Sequence, residues 1–314
     1  MAPKVNSALL LSVLGGICSI PLSLFFFGPA PIIAVGCIFG ASFPAISVAI
    51  AGLVSLAWMG GTGALSYLAL TGIPSALAVK LSISRRGSFT TLDIGRAIAD
   101  VSIFGLCIIL FLSIDLFGLG SKTENYVENS FQIFFTQFQS HINAAADQHQ
   151  SEKVSLALSA LGKFAAQISV GTLGAASFLI LAVNVSLVET LTNKIGLSNL
   201  TRPNYTMTQP PAWLSVIFFG MIALSLSPGD LGKFGLNCAI FLSFPFILIG
   251  LAVIHSVTRN SRNEKVALCG FYMLVFVIGV IFGLLAFIAI ILALAGAFEC
   301  WFGVRQRLRK SSPD

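Results

Sequence analysis

Residues 25–82 read FFFGPAPIIAVGCIFGASFPAISVAIAGLVSLAWMGGTGALSYLALTGIPSALAVKLS. Nothing in the stretch is charged until Lys80. A soluble core element does not run this long without an ion or a polar alternation, so the stretch belongs in lipid. Gly-Pro-Ala-Pro at 28–31, Ser-Phe-Pro at 42–44 and Gly-Gly-Thr-Gly at 60–63 interrupt it. Such groups break helices, so several segments are expected.

The rest of the chain has the same character. Hydrophobic residues make up 56% and charged residues 10%, against about one-quarter charged in a soluble domain. The chain therefore reads as membrane-embedded throughout, with short ends and no attached cytoplasmic domain. Its net charge of +6 is read as basic cytoplasmic loops rather than as a nucleic-acid surface. Cys18, Cys37, Cys107, Cys238, Cys269 and Cys300 lie in or beside apolar segments with no CxxC spacing. They read as small buried residues, not as a disulfide set or metal site. Ser7 to Phe27 follows Lys4 and has the look of a signal peptide. The apolar sequence resumes at once without a cleavage site, so it is expected to stay as the first span.

The basic residues decide the expected topology. They cluster at Lys80/Arg85/Arg86/Arg96, Lys194/Arg202, Arg259/Arg262/Lys265 and Arg305/Arg307/Arg309/Lys310. With Lys4 these are placed on the cytoplasmic side. Residues 30–82 must then cross three times, over about 31–43, 44–58 and 62–82. The first two crossings would be short, roughly 20 Å against roughly 30 Å of hydrocarbon. The alternative is one long helix over 31–58 with the N-terminus outside. Further spans are expected at about 97–119, 164–190, 212–228 and 232–257, the last two joined by Ser-Pro-Gly-Asp at 227–230. The block 266–302 is flanked by basic residues at both ends and is expected to cross twice, turning near 282–284.

The fold class expected is an all-α, polytopic transmembrane bundle of eight to ten spans, ten being preferred, with both termini cytoplasmic. It divides into a membrane block over 1–119 of about five spans, an insertion over 120–163, a second block over 164–303 of about five spans, and a basic tail over 304–314. Arg85–Arg96 and 192–211 are expected to be cytoplasmic loops. The insertion is not basic and is placed outside. Val127, Phe131, Phe134, Phe135, Phe138, Ile142 and Ala145 recur at helical spacing and give an aromatic face, and Val154, Leu158, Leu161 and Ala165 a second helical pattern. The aromatic face lies in the membrane interface or packs over the outer mouth of the bundle.

Several residues stand out. Ala8, Ser12 and Gly16 form a small-residue face on the first span, suited to close helix approach inside the chain or with a partner. Asp115, Asn184 and Asn237 are the polar groups expected near a solute pocket in the outer half; an amide in lipid also serves as a bond between helices. His255, near the Arg259 end, reads as a lone interfacial histidine. Trp213 and Trp301 mark interfaces. There is no GxxxxGK loop, HExxH, GxSxG or paired intramembrane aspartate. The chain is therefore expected to carry no nucleotide site, no enzymatic activity and no cofactor.

Gly-Pro-Ala-Pro followed by an apolar run to Gly40, and Pro74 followed by Arg85-Arg86, resemble the start of the YybS-like family of predicted bacterial membrane proteins. The tail Gly296, Glu299, Trp301-Phe302, Arg305 and Arg307 is similar to that family's ending. Here Glu299 replaces the usual Asp, and Gly303 stands where a further Asp is common. In its N-terminal half that family looks like the substrate-binding S-components of energy-coupling-factor importers. The resemblance implies a multi-pass protein of the bacterial inner membrane that captures a small solute. Partner ATPases, acting through a transmembrane coupling subunit, would supply the energy. Ala8, Ser12 and Gly16 would be the docking face, and Pro29 and Pro31 would shape a lid loop. The competing expectation is a membrane scaffold whose outer helices meet an envelope protein. Membrane lipids are the one partner common to both, and nucleic acid is excluded.

Overall fold

The Gly-Gly-Thr-Gly interruption decides how the first block folds. In the computed structural model, Gly60 has φ 73° and ψ −177°, a backbone region in effect reserved for glycine. The helical run from Phe43 to Lys80 therefore folds back on itself. Across the fold a Cβ on Gly52 would meet Leu68 at 3.2 Å, and one on Gly72 would meet Val48 at 3.3 Å. These pairs are equidistant in sequence from Gly60, as antiparallel neighbours must be. The segmentation into short pieces is thus the one expected from three crossings, and the single long helix over 31–58 is not formed.

The structure describes residues 5–23, 26–80, 83–86, 89–92, 94–114, 125, 129–130, 133, 148–197, 200–201, 210–259, 263–281, 284–305 and 307. The N-terminal helices are α1 (Val5–Ser23), α2 (Pro29–Phe39), α3 (Phe43–Tyr67, folded at Gly60) and α4 (Ile73–Lys80). A π-helical turn, Leu68–Gly72, joins α3 to α4. It precedes Pro74, which has no N–H to offer the ladder, and such wide turns absorb a missing bond. Then come α5 (Ile94–Ile114), α6 (Gln148–Gln167), α7 (Ser169–Lys194), α8 (Ala212–Ser225) and α9 (Asp230–Arg259). The chain closes with α10 (Glu264–Leu274), which runs into a π-helical stretch (Val275–Ile281), and α11 (Leu285–Phe302). The α8–α9 turn falls at the expected Ser-Pro-Gly-Asp, with Gly229 at φ 74°. The last block is divided between Ile281 and Leu285, also as expected.

Among the described residues, six helical runs are long and apolar enough to cross a membrane: Asn6–Ser23, Phe43–Lys80, Ile94–Ser113, Ser169–Lys194, Asp230–Arg259 and Leu285–Phe302. Pro29–Phe39 and Ala212–Ser225 are shorter apolar helices. Large apolar side chains point outward along the helices; Trp58 is 69% exposed, Leu10 62% and Phe287 66%. A surface of this kind is stable only against lipid.

One element departs from the helical expectation. The stretch read as a loop contains β1 (Ile83–Arg86) and β2 (Phe89–Leu92), an antiparallel hairpin with Arg86 opposite Phe89. β3 (Leu200–Thr201) pairs parallel to β2, Thr90 beside Leu200. Two loops more than a hundred residues apart in sequence thus share one small sheet. No short-range pattern announces this, because backbone pairing across such a distance is set by where the helices end.

The chain forms two units: residues 1–104, 176–218 and 242–314 in the first, and 105–175 and 219–241 in the second. α5, α7, α8 and α9 each contribute to both units. In the first unit α1 packs on α3. Ala8 is 2% exposed, Ser12 0%, and Gly16 is buried where a Cβ would overlap the carbonyl of Ser47. The Ser19 hydroxyl bonds the Tyr67 phenol, beside Ile20 and Ala51. In the second unit the Phe241 ring occupies space left by Gly105 and Gly174. Asn237 ties the break between α6 and α7. Its amide donates to Gln167 O at 2.8 Å and to Lys233 O at 2.9 Å, and its Oδ1 accepts from Gly171 N at 2.7 Å.

Candidate functional site

The first unit holds a cavity of about 540 Å³ between α5, α7 and α9, with Ala78 of α4 at its edge. Its walls are Ile94, Ala97, Ile98 and Val101 of α5, Phe178 to Thr190 along one side of α7, and Leu248, Ile249 and Ala252 of α9. The volume is that of an ordinary small-molecule site. Small residues make the space: Ala97, Ala182 and Ala252 face it where leucines would fill it. Ser186 and Thr190 are its polar members. Thr190 spends its hydroxyl on Ser186 O at 2.7 Å, so the lining stays apolar. Leu179, Val183 and Leu187 are 41%, 54% and 39% exposed, so the cavity opens sideways along α7.

α7 also carries buried polar side chains. Asn184 is 1% exposed, Glu189 3% and Thr192 6%. Asn184 Nδ2 donates to Phe26 O at 2.9 Å and to Ile180 O at 2.7 Å. Its Oδ1 has no hydrogen-bond partner among the described residues. Phe26 has φ 63°, a left-handed conformation costly for a side-chain-bearing residue. Phe27 N bonds Leu22 O at 2.9 Å and Phe26 N bonds Ser23 O at 3.2 Å. That is a Schellman ending with phenylalanine where glycine is usual. Asn184 thus fastens the α1–α2 turn to α7. Glu189 Oε1 accepts from Asn193 Nδ2 at 3.2 Å. The sequence reading passed over Glu189; a carboxylate inside the apolar run Val183–Leu191 was the available signal.

The residues expected near an outer pocket have the following surroundings. Asn184 is buried away from the cavity lining, and Asn237 belongs to the second unit as a fully bonded helix tie. Asp115 lies outside the described residues. Pro29 and Pro31 are not in a lid loop. They occupy the first turn of α2, where a missing N–H costs nothing. Ala8, Ser12 and Gly16 are buried within the first unit, Gly16 against Ser47 of α3, and α1 turns Leu10, Leu14 and Ile17 outward. The aromatic stripe from Phe131 to Phe138 lies outside the described residues.

The tail motif is a helix ending. Gly303 is left-handed at φ 55°, ψ 42°. Glu299 reaches past it to accept Val304 N at 2.9 Å, Arg305 N at 3.2 Å and Arg305 Nε at 2.9 Å. Glu299 and Arg305 are 3% and 5% exposed, so two carboxylate oxygens and a guanidinium neutralise one another inside the protein. Gly296 lets α11 touch the backbone of α9 at Phe246. Trp301 and Phe302 are 47% and 53% exposed, and Arg307 is exposed as well. His255 sits near the end of α9, its Nδ1 2.9 Å from Leu251 O and its Nε2 3.4 Å from Tyr272 Oη.

Among the described residues no group of three or more His, Cys, Asp or Glu is placed to hold a metal ion. No curated protein and no solved structure matches the chain. Apolar helices, outward-facing leucines and a match over residues 7–295 to the family described as predicted membrane protein (DUF2232) agree, and the chain belongs to that family.

Proposed function

We propose that this protein binds a small, mainly apolar solute in the cavity between α5, α7 and α9 and serves its passage across, or delivery within, the bacterial inner membrane. The cavity itself carries this reading: about 540 Å³, apolar walls and a lateral mouth. No step needs enzymatic chemistry. With no nucleotide loop in the sequence, energy would come from partner ATPases through a coupling subunit, in the manner of the S-component resemblance. The surface offered to such a subunit is the Leu10, Leu14 and Ile17 face of α1.

The proposed topology is ten crossings with both termini cytoplasmic. The small sheet supports it. β2 and β3 pair directly, so the Arg85–Arg86 hairpin and the segment after Lys194 lie on one side. α5 leaves that sheet and α7 returns to it, the arrangement expected if the segment between them lies on the other side. Reporter fusions placing residues 87–91 and 127–148 on the same side would refute it. The binding reading is tested by purifying the full chain in mild detergent and measuring retention of a neutral apolar fluorophore. Saturable binding, lost in an Ala97→Phe/Ala252→Phe variant, is expected; binding that survives in that variant overturns it.

A second reading, a scaffold meeting an envelope partner, has one observation in its favour. α6 leaves Leu156, Leu161 and Phe164 at 66%, 57% and 52% exposure. Crosslinking from Leu161 confined to this chain or to lipid would remove it.

A further inference from the structure

The cavity has charge at one end and none inside, and that asymmetry carries an inference resting on the binding reading above. α7 and α9 run parallel, since Asn237 lies beside Gly171 and Phe241 beside Gly174. Both helices end in a cation. Lys194 follows the lining residue Thr190 by four residues, and Arg259 follows Ala252 by seven. At 100° per residue both cations fall on the helix face that lines the cavity, roughly 6 and 10 Å further along the axis. Lys80 closes α4 just before the sheet and adds charge at the same end, but at 200° from the lining residue Ala78 it stands on the other face of its helix. All three are exposed, and none is held by an ion pair or hydrogen bond among the described residues. α5 enters at the same end with Arg96 and Asp100, opposite charges one turn apart on the helix.

Three uncommitted cations beyond the end of a laterally open apolar cavity match one chemical class. We propose that the occupant is an anionic membrane phospholipid, its acyl chain between α5, α7 and α9 and its phosphate between Lys194 and Arg259, with Lys80 adding positive field at the same end. A neutral apolar solute would use the walls and ignore the cations. A soluble anion would use the cations and gain nothing from the walls. Lysine and arginine flanking a membrane-embedded groove are the usual means of holding an anionic headgroup.

The test uses the full chain in detergent, offered equimolar phosphatidylglycerol and phosphatidylcholine of identical chains, with bound lipid measured by native mass spectrometry. Phosphatidylglycerol is expected to be retained at least tenfold over phosphatidylcholine. Lys194→Gln and Arg259→Gln should each lower that ratio about fivefold, and Lys80→Gln by less. The Ala97→Phe/Ala252→Phe variant should lose both lipids. Raising salt from 0.05 to about 0.5 M should cut the wild-type preference, because exposed cations are screened. This salt series needs no variant, so a Lys80→Gln/Lys194→Gln/Arg259→Gln protein that fails to fold leaves the proposal falsifiable. Equal retention of the two lipids, or a preference indifferent to salt, overturns the headgroup assignment while leaving the apolar site standing. Retention of neither lipid, with the neutral fluorophore still bound, also overturns it. Retention of neither lipid nor fluorophore overturns both readings.

Discussion

α9 meets its neighbours in two opposite ways. Toward α11 it is sealed: a Cβ on Gly250 would overlap Leu292 O, and one on Gly296 would overlap Phe246 O. The paired positions advance in opposite directions, so the two helices are antiparallel and their backbones touch. Toward α5 and α7 the same helix stands back, and Ala97, Ala182 and Ala252 border open space. Both faces are built from small residues. What separates them is what stands across: at the first, another glycine-backed helix moves in until the backbones meet; at the second, larger side chains such as Phe178 and Ile98 hold the helices apart and the alanines leave a gap. Small residues on a membrane helix therefore do not by themselves announce a contact.

This contrast can be broken experimentally, most severely at the sealed face. Gly296→Leu should yield no folded, monodisperse protein by size-exclusion chromatography, because the added atoms meet backbone and no rotamer relieves them; a cost above about 4 kcal/mol is expected. Recovery of normal protein would mean that α9 and α11 are not in contact. Glu299→Gln comes next. It leaves Arg305 buried without its counter-ion and should cost about 3–5 kcal/mol, read as a large fall in thermal midpoint in detergent. Asn237→Leu removes the tie at the α6–α7 break, strands Gly171 N and Gln167 O, and should cost about 2 kcal/mol. On the open face, Ala97→Phe should shift stability by no more than about 1 kcal/mol, since the ring enters space already present. The smallest effect has the opposite sign. Phe26→Gly relieves a left-handed phenylalanine while keeping the carbonyl that Asn184 holds, and should raise stability by up to about 1 kcal/mol.

Much of the segmentation was legible because its causes are local. Gly60 breaks the Phe43–Lys80 run, Ser-Pro-Gly-Asp turns α8 into α9, and the last block divides near 282–284, each from two or three residues whose backbone preferences act on the spot. The site was less legible. The small face Ala8/Ser12/Gly16 was visible, but its partner was not, and it proved to be α3 of the same chain. Asn184 was flagged for a pocket and instead holds the carbonyl of Phe26, a residue 158 positions away. Glu189 is a carboxylate within an otherwise uncharged run, and only the packing around α7 makes it 3% exposed. The tail motif was visible as a pattern, but only the structure shows Arg305 giving Glu299 two hydrogen bonds and Val304 N a third.

From the residues alone came the solvent and the punctuation: a chain too apolar for water, cut by glycine and proline into helices and weighted with cations at its turns. Hydropathy and backbone preference belong to each residue and need no neighbours. The tertiary structure alone decided which small faces close and which stay open, that two distant basic loops share a sheet, and that α5, α7 and α9 enclose a space. These depend on the distance between helices, which the side chains of several segments set jointly.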